Sequence, residues 1–300
     1  MKIRFDQSAP YEVGESDVTF AKLAGEGVLA RVYRPEGTPD APLPALVNVH
    51  GGAWSRGDRN AGVDYGRGLA ACGLVVVSLD FRQGPAHKHP AAAQDVSAGV
   101  RWVRANATAL GVDPARIGIS GHSSGGHLAL LVATQPGVDA HTGTPIVLAD
   151  GSLGATAGDD SVALAIALYP VADPLARYHY ALSRTNDPTF ADDAARLAAS
   201  SLGYFADEAA MAAASVTGVI DGGRACALPP AWIAQPEMDD NVPAAITDAL
   251  VRAYEGAGGR IERVRFPGAR HGFIGQASAD TTKCIADVRD FIGRQLARKA

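Results

Sequence analysis

Residues 116–133 read Arg116-Ile117-Gly118-Ile119-Ser120-Gly121-His122-Ser123-Ser124-Gly125-Gly126-His127-Leu128-Ala129-Leu130-Leu131-Val132-Ala133. The stretch begins as an apolar β-type run and ends as a helix-type run, with Gly-x-Ser-x-Gly between them. A serine on so tight a strand-to-helix turn takes a strained backbone conformation. Its neighbours must lack a Cβ for the chain to fold back so closely. Such a turn lifts the Ser123 hydroxyl clear of the sheet edge. It also sets Ser123 and the Ser124 N–H at the positive end of a helix, where a developing oxyanion is stabilised. Taken alone, the pattern also fits a plain Gly/Ser loop.

On the N-terminal side, residues 1–16 read as an irregular lead-in. Asp17–Ala21 and Val28–Arg34 read as two strands around Gly25-Glu26-Gly27, a hairpin at a sheet edge. Ala45–His50 is a mostly apolar strand, as expected where both faces of a sheet are covered. It runs into Gly51-Gly52-Ala53-Trp54. A helix over about Tyr65–Ala71 and a strand over Leu74–Asp80 follow. Pro90 then opens a long helix to about Leu110, with Val96, Val100 and Val103 on one stripe.

On the C-terminal side, Gln135–Ser161 is rich in Gly, Asp, Thr and Pro and reads as a surface excursion. Val162–Leu168 is another buried strand. Residues 171–228 break the alternation with Ala-rich helical pieces (Asp192–Ser200, Asp207–Ala214) and no clear strand, which suggests a lid over the serine turn. Strands resume at Ala231–Ala234 and Ile261–Phe266, separated by a helix over about Pro243–Glu255. Asp280–Leu296 is a last amphipathic helix. The alternation predicts an α/β fold with a mostly parallel sheet wrapped by helices, in one domain over residues 1–300.

An activated serine needs a base, and the base needs an orienting acid. On sheets that carry such a turn the order is nucleophile, acid, histidine, each in a loop after a strand. His271 follows the last strand. The acid belongs in Gln235–Pro243, where Asp239 is the choice and Asp240 and Glu237 are rivals. His271 would take the Ser123 proton during attack on a carbonyl. Activity is then expected to fall below about pH 6–7, where a histidine base becomes charged. The N–H groups of Gly51, Gly52 and Ser124 are the candidate oxyanion donors, each worth about 3 kcal/mol in the transition state.

Four stretches in this order carry a resemblance. They are His50–Trp54, Asp80–Pro90, Gly121–Leu128, and Asp239–Val242 with His271-Gly272-Phe273. Together they resemble the hormone-sensitive-lipase-like carboxylesterases of the α/β-hydrolase superfamily, in particular their small bacterial members. The resemblance implies a cofactor-free α/β-hydrolase fold that hydrolyses short-chain carboxylic esters. Three departures stand out. Ala53 replaces the third glycine of the family's His-Gly-Gly-Gly. Ser124 stands where alanine is common. Pro236 stands where glycine is usual before the acid, removing an N–H. His-Gly-Gly-x-Trp is also similar to kynurenine formamidases, so an amide substrate is the rival within enzymes. A non-catalytic ligand-binding protein of the same fold is the rival outside them, and His271 argues against it.

The other histidines lack metal-ligand spacing. His50 reads as a structural brace of the glycine loop, and Arg82 and Asp95 as loop-bracing contacts. Trp54 and His122 are candidates for the pocket wall, and Trp102 and Trp232 for the core. Tyr178, His179 and Tyr180 face either substrate or an oligomer contact, which leaves a homodimer open. A net charge of −5 with no basic run argues against nucleic acid or an anionic membrane as partner. The polar start at Met1–Gln7 and the three separated cysteines, read as buried thiols, suggest a cytoplasmic protein.

Overall fold

The computed structural model describes residues 1–297. Its apolar runs assemble into an eight-stranded sheet in the order β2-β3-β6-β5-β7-β8-β9-β10. These strands are β2 Val13–Leu23, β3 Glu26–Pro35, β5 Leu43–Val49, β6 Val75–Leu79, β7 Val112–His122, β8 Ala165–Leu168, β9 Ala231–Pro236 and β10 Ile261–Phe266. The β2–β3 hairpin forms one edge, and β3 runs antiparallel to β6. From β6 to β10 every pair is parallel. Two short strands, β1 Lys2–Ile3 and β4 Thr38–Pro39, pair apart from this sheet.

Both faces of the sheet are covered, which is why β5 is buried along its whole length. On β5, Ala45, Val47 and Val49 point to one face and Leu46 to the other. The first face packs against α2 Ala91–Ala105, α4 Ser124–Thr134, α8 Val216–Asp221 and α9 Ala244–Gly256. The second packs against α1 Val63–Ala70 and α10 Ala279–Ala297. Trp102 and Trp232 are core residues, as expected.

Some boundaries differ from the sequence reading. The lead-in is ordered: Val13–Ser16 continue the edge strand by pairing with Val32–Pro35, a tertiary partner that local composition does not reveal. The long helix stops at Ala105. Asn106 turns the chain, its amide donating to the Trp102 and Val147 carbonyls, and α3 Ala107–Leu110 follows. The Gln135–Ser161 excursion is tied down: it carries a short 3₁₀ turn at Asp139–His141, and His141, Thr144 and Asp160 are buried. Residues 171–228 hold four helices rather than two, α5 Pro174–Ser183, α6 Ala191–Phe205, α7 Glu208–Ala213 and α8. Asp173, Asp207 and Ser215 cap α5, α7 and α8 with side-chain oxygens. Cys72 and Cys284 are buried, but Cys226 is exposed, so the reading of three buried thiols fails there. Among the described residues, no helix is long and apolar enough to cross a membrane.

Candidate active site

The loops that matter leave the C-terminal ends of neighbouring parallel strands, where ligand sites of open α/β sheets lie. Ser123 follows β7 with φ 55° and ψ −122°, a strained conformation for a serine. The flanking glycines are required by contact. A Cβ on Gly121 would meet the Gly125 carbonyl oxygen at 2.3 Å. One on Gly125 would meet the Val49 and His50 carbonyl oxygens at 2.2 Å. The second contact locks the serine turn onto the loop after β5.

That loop is itself strained. Gly52 has φ 117°, and Ala53 and Trp54 follow with φ 53° and 58°. Ala53 therefore sits in a left-handed conformation that glycine would adopt at lower cost. His50 braces the loop: its Nδ1–H donates to the Gly51 carbonyl at 2.7 Å, and its ring stacks on Phe81 at 4.2 Å. Burial holds His50 below its ordinary pKa, so it is a neutral brace.

His271 Nε2 lies 2.8 Å from Ser123 Oγ, and His271 Nδ1 lies 2.8 Å from Asp239 Oδ2. The second bond fixes the tautomer: Nδ1–H donates to the carboxylate, leaving Nε2 free to accept the serine proton. The other Asp239 oxygen accepts the N–H groups of Asn241 and Val242, both at 2.8 Å. The rivals point elsewhere. Asp240 pairs with Arg270 in solvent, and Glu237 lies 3.6 Å from Arg265. Pro236 is accommodated: it pairs opposite Phe266 of β10, where the next residue, Glu237, donates its N–H to the Phe266 carbonyl at 3.1 Å, and on the other side β8 ends opposite Ala234.

A cavity of about 330 Å³ opens over Ser123. Gly51, Gly52, Ala53, His122, Ser123 and His271 line it, joined by residues that the sequence reading missed, among them Arg56, Tyr169, Arg177, Arg196, Leu197 and Asn241. Burial, with His50 and His271 nearby, pushes His122 down to about 3, so it presents a neutral ring. Tyr169 follows β8 directly and stands edge-on to His271, 4.8 Å between centroids. Arg177 had a readable signal. It shares the i, i+3, i+4, i+7 buried stripe of α5 with Pro174, Tyr178 and Ala181, a position where a cation is out of place.

Trp54 is a correction. It is fully buried and does not line the cavity. Its indole stacks on Tyr204 and meets Phe205 edge-on, and its Nε1–H donates to His127 Nδ1 at 3.2 Å. A bulky apolar ring in a strained loop gains more from burial than from a wet wall. Of the three residues on α5, Tyr178 is buried, His179 pairs with Glu208 in solvent, and the Tyr180 hydroxyl donates to the Asp240 carbonyl.

The likeness to known proteins follows this geometry. Over 104 residues the chain is 41% identical to the carboxylesterase NlhH of Mycobacterium tuberculosis, 34% of this chain and 32% of that one. Over 295 residues it is 28% identical to the esterase LipQ of the same species, 94% of this chain and 63% of that one. The matches thus span less than two thirds of these curated relatives. Among solved structures it is similar to a hyperthermophilic esterase from the archaeon Pyrobaculum calidifontis, with a TM-score of 0.71 and 26% identity over 95% of this chain and 84% of that one. The sheet with its helices is the α/β-hydrolase fold of these esterases. The BD-FAE family model matches residues 31–254, from the second strand of the edge hairpin through the acid-bearing turn into α9, and the chain belongs to that family.

Proposed function

We propose that the protein is a serine carboxylesterase acting on small carboxylic esters. The observation that carries this reading is the unbroken chain of hydrogen bonds Asp239–His271–Ser123, opening on a 330 Å³ cavity. Ser123 Oγ attacks the ester carbonyl while His271 Nε2 takes its proton. The N–H groups of Gly51, Gly52 and Ser124 hold the oxyanion. Collapse expels the alcohol, protonated by His271. Water, deprotonated by the same nitrogen, then releases the acid from Ser123. Asp239 stays ionised and stabilises the imidazolium. Residues 171–228 act as a lid, since Arg177, Arg196 and Leu197 from that segment line the cavity. The names of the similar proteins support the same reading.

The test is a p-nitrophenyl ester series from acetate to decanoate, with a formanilide alongside, on wild type and Ser123→Ala. The reading expects the fastest turnover at the short acyl chains, slow formanilide hydrolysis, and loss of both in the variant. Faster formanilide turnover would make the protein an amidase instead. No hydrolysis of any substrate would leave a ligand-binding protein.

A further inference from the structure

The cavity at Ser123 is cationic. Arg56, Arg177 and Arg196 line it, and no Asp or Glu does among the described residues. Arg196 is paired with Asp193, and Arg56 is exposed. Arg177 differs from both, being only 1% exposed. Its Nη2 donates to Ser201 Oγ at 2.9 Å, and its Nη1 reaches Asn241 Oδ1 at 3.5 Å. Its Nε has no partner. The guanidinium carbon lies 5.4 Å over the Trp54 ring.

A guanidinium carries five N–H donors, so most of these donors are unmatched. No carboxylate pairs with Arg177 among the described residues. Buried charges are ordinarily paired, because two neutral acceptors and one aromatic face do not replace lost hydration. Burial, with repulsion from Arg196, pushes Arg177 down to about 10, which leaves it charged at neutral pH. The arrangement around it is fixed. Ser201 Oγ–H donates to the Leu197 carbonyl at 2.9 Å, so its lone pair is held toward Arg177. Asn241 is held by its N–H to Asp239. Asn241 thus joins the buried cation to the turn that carries the acid.

We infer that Arg177, with Arg196 beside it, is a carboxylate-recognition subsite, so that the preferred ester bears a second, anionic group. This rests on the esterase reading above. The planar guanidinium matches a carboxylate with two parallel hydrogen bonds. A neutral analogue of the same shape leaves a buried charge unpaired, which is the larger part of the discrimination. The carboxylate belongs either to the acyl part or to the alcohol part of the ester, and one substrate pair addresses each. Monoethyl adipate against diethyl adipate carries it on the acyl side. 4-Acetoxybenzoate against methyl 4-acetoxybenzoate carries it on the alcohol side.

The readout is the ratio of kcat/KM, anionic over neutral, with each substrate normalised to its hydroxide-catalysed rate. In the wild type at least one pair favours the anion by about tenfold or more, the worth of a charge-assisted hydrogen bond. Arg177→Met lowers that ratio at least tenfold, mainly through KM, and Arg177→Lys restores part of it. A ratio at or below one for both pairs, or a ratio unchanged in Arg177→Met, overturns the subsite. Should the methionine variant not fold, wild-type inhibition decides: adipate must compete at least tenfold better than adipamide, and equal inhibition overturns the inference. If the wild type hydrolyses neither member of either pair, the esterase reading is what fails. Calorimetric titration of adipate against adipamide then decides the subsite alone, with preferential adipate binding supporting it and equal or absent binding overturning it.

Discussion

Asp239 and Asp240 are adjacent in sequence and opposite in circumstance. Asp239 has a side chain only 5% exposed and hydrogen-bonded on both oxygens, whereas Asp240 is 59% exposed against Arg270. Asp239→Asn is therefore expected to lower kcat about 10⁴-fold, because an amide cannot hold the Nδ1–H tautomer. Asp240→Asn is expected to change it less than threefold, since exposed ion pairs contribute little. Steady-state kinetics on the two variants checks both. Ala53 offers a stability prediction. Its left-handed φ of 53° costs about 1 kcal/mol, and glycine removes that cost while adding freedom to the unfolded chain. Ala53→Gly is then expected to change the urea midpoint little, in contrast to Gly125→Ala. That alanine would drive a Cβ into two carbonyl oxygens and unfold the protein at markedly lower urea. Ser123 and its glycines were legible because the turn permits few residue types. Arg177 was visible only as a periodicity anomaly, since its role depends on Trp54, Ser201 and Asn241, which are distant in sequence.

Among the elements, α2, the Asp80–Pro90 loop and the Gln135–Ser161 excursion meet at Asp95. Its fully buried carboxylate accepts from the Arg82 backbone N–H, the Arg82 guanidinium and Thr144 Oγ. Asp95→Ala leaves the Arg82 guanidinium without its counter-charge and is expected to cost about 3–5 kcal/mol. Chemical denaturation measures this, and a loss below about 1 kcal/mol would contradict the bracing role. The strands and most helices were legible from apolar runs and from proline and glycine stops. Within the segment between β8 and β9, local pattern gave α6 and α7 but not α5 and α8. Both are short, start at caps on Asp173 and Ser215, and bury their faces against other helices rather than along a long local stripe. Trp54 was misread for the same reason: its partners Tyr204 and Phe205 come from α6, and nothing near residue 54 announces them.

Across the whole molecule, buried neutral histidines tie layers together and set the response to acid. His127 on α4 accepts from the Trp54 indole and donates its Nε2–H to the Ala214 carbonyl at 2.8 Å, joining the glycine loop to the helical segment. Burial, opposed in part by that carbonyl, pushes His127 down to about 3. An unfolded histidine titrates near 6.5. Between those values the unfolded chain binds a proton that the native state refuses, so stability falls as pH drops below about 6.5 and is full above it. A histidine of this kind contributes at most about 1.4 kcal/mol per pH unit in that window. Tm is therefore expected to fall by several degrees from pH 7.5 to 5.0, and a Tm that rises on acidification would contradict the assignment. The central claim, that Ser123 is the nucleophile of an ester hydrolase, is tested most directly by intact and peptide mass spectrometry after treatment with diethyl p-nitrophenyl phosphate. The account predicts one diethylphosphoryl adduct per chain, on Ser123, appearing in step with loss of esterase activity. Full activity in an unlabelled protein, or inactivation with the adduct on another residue, would contradict it.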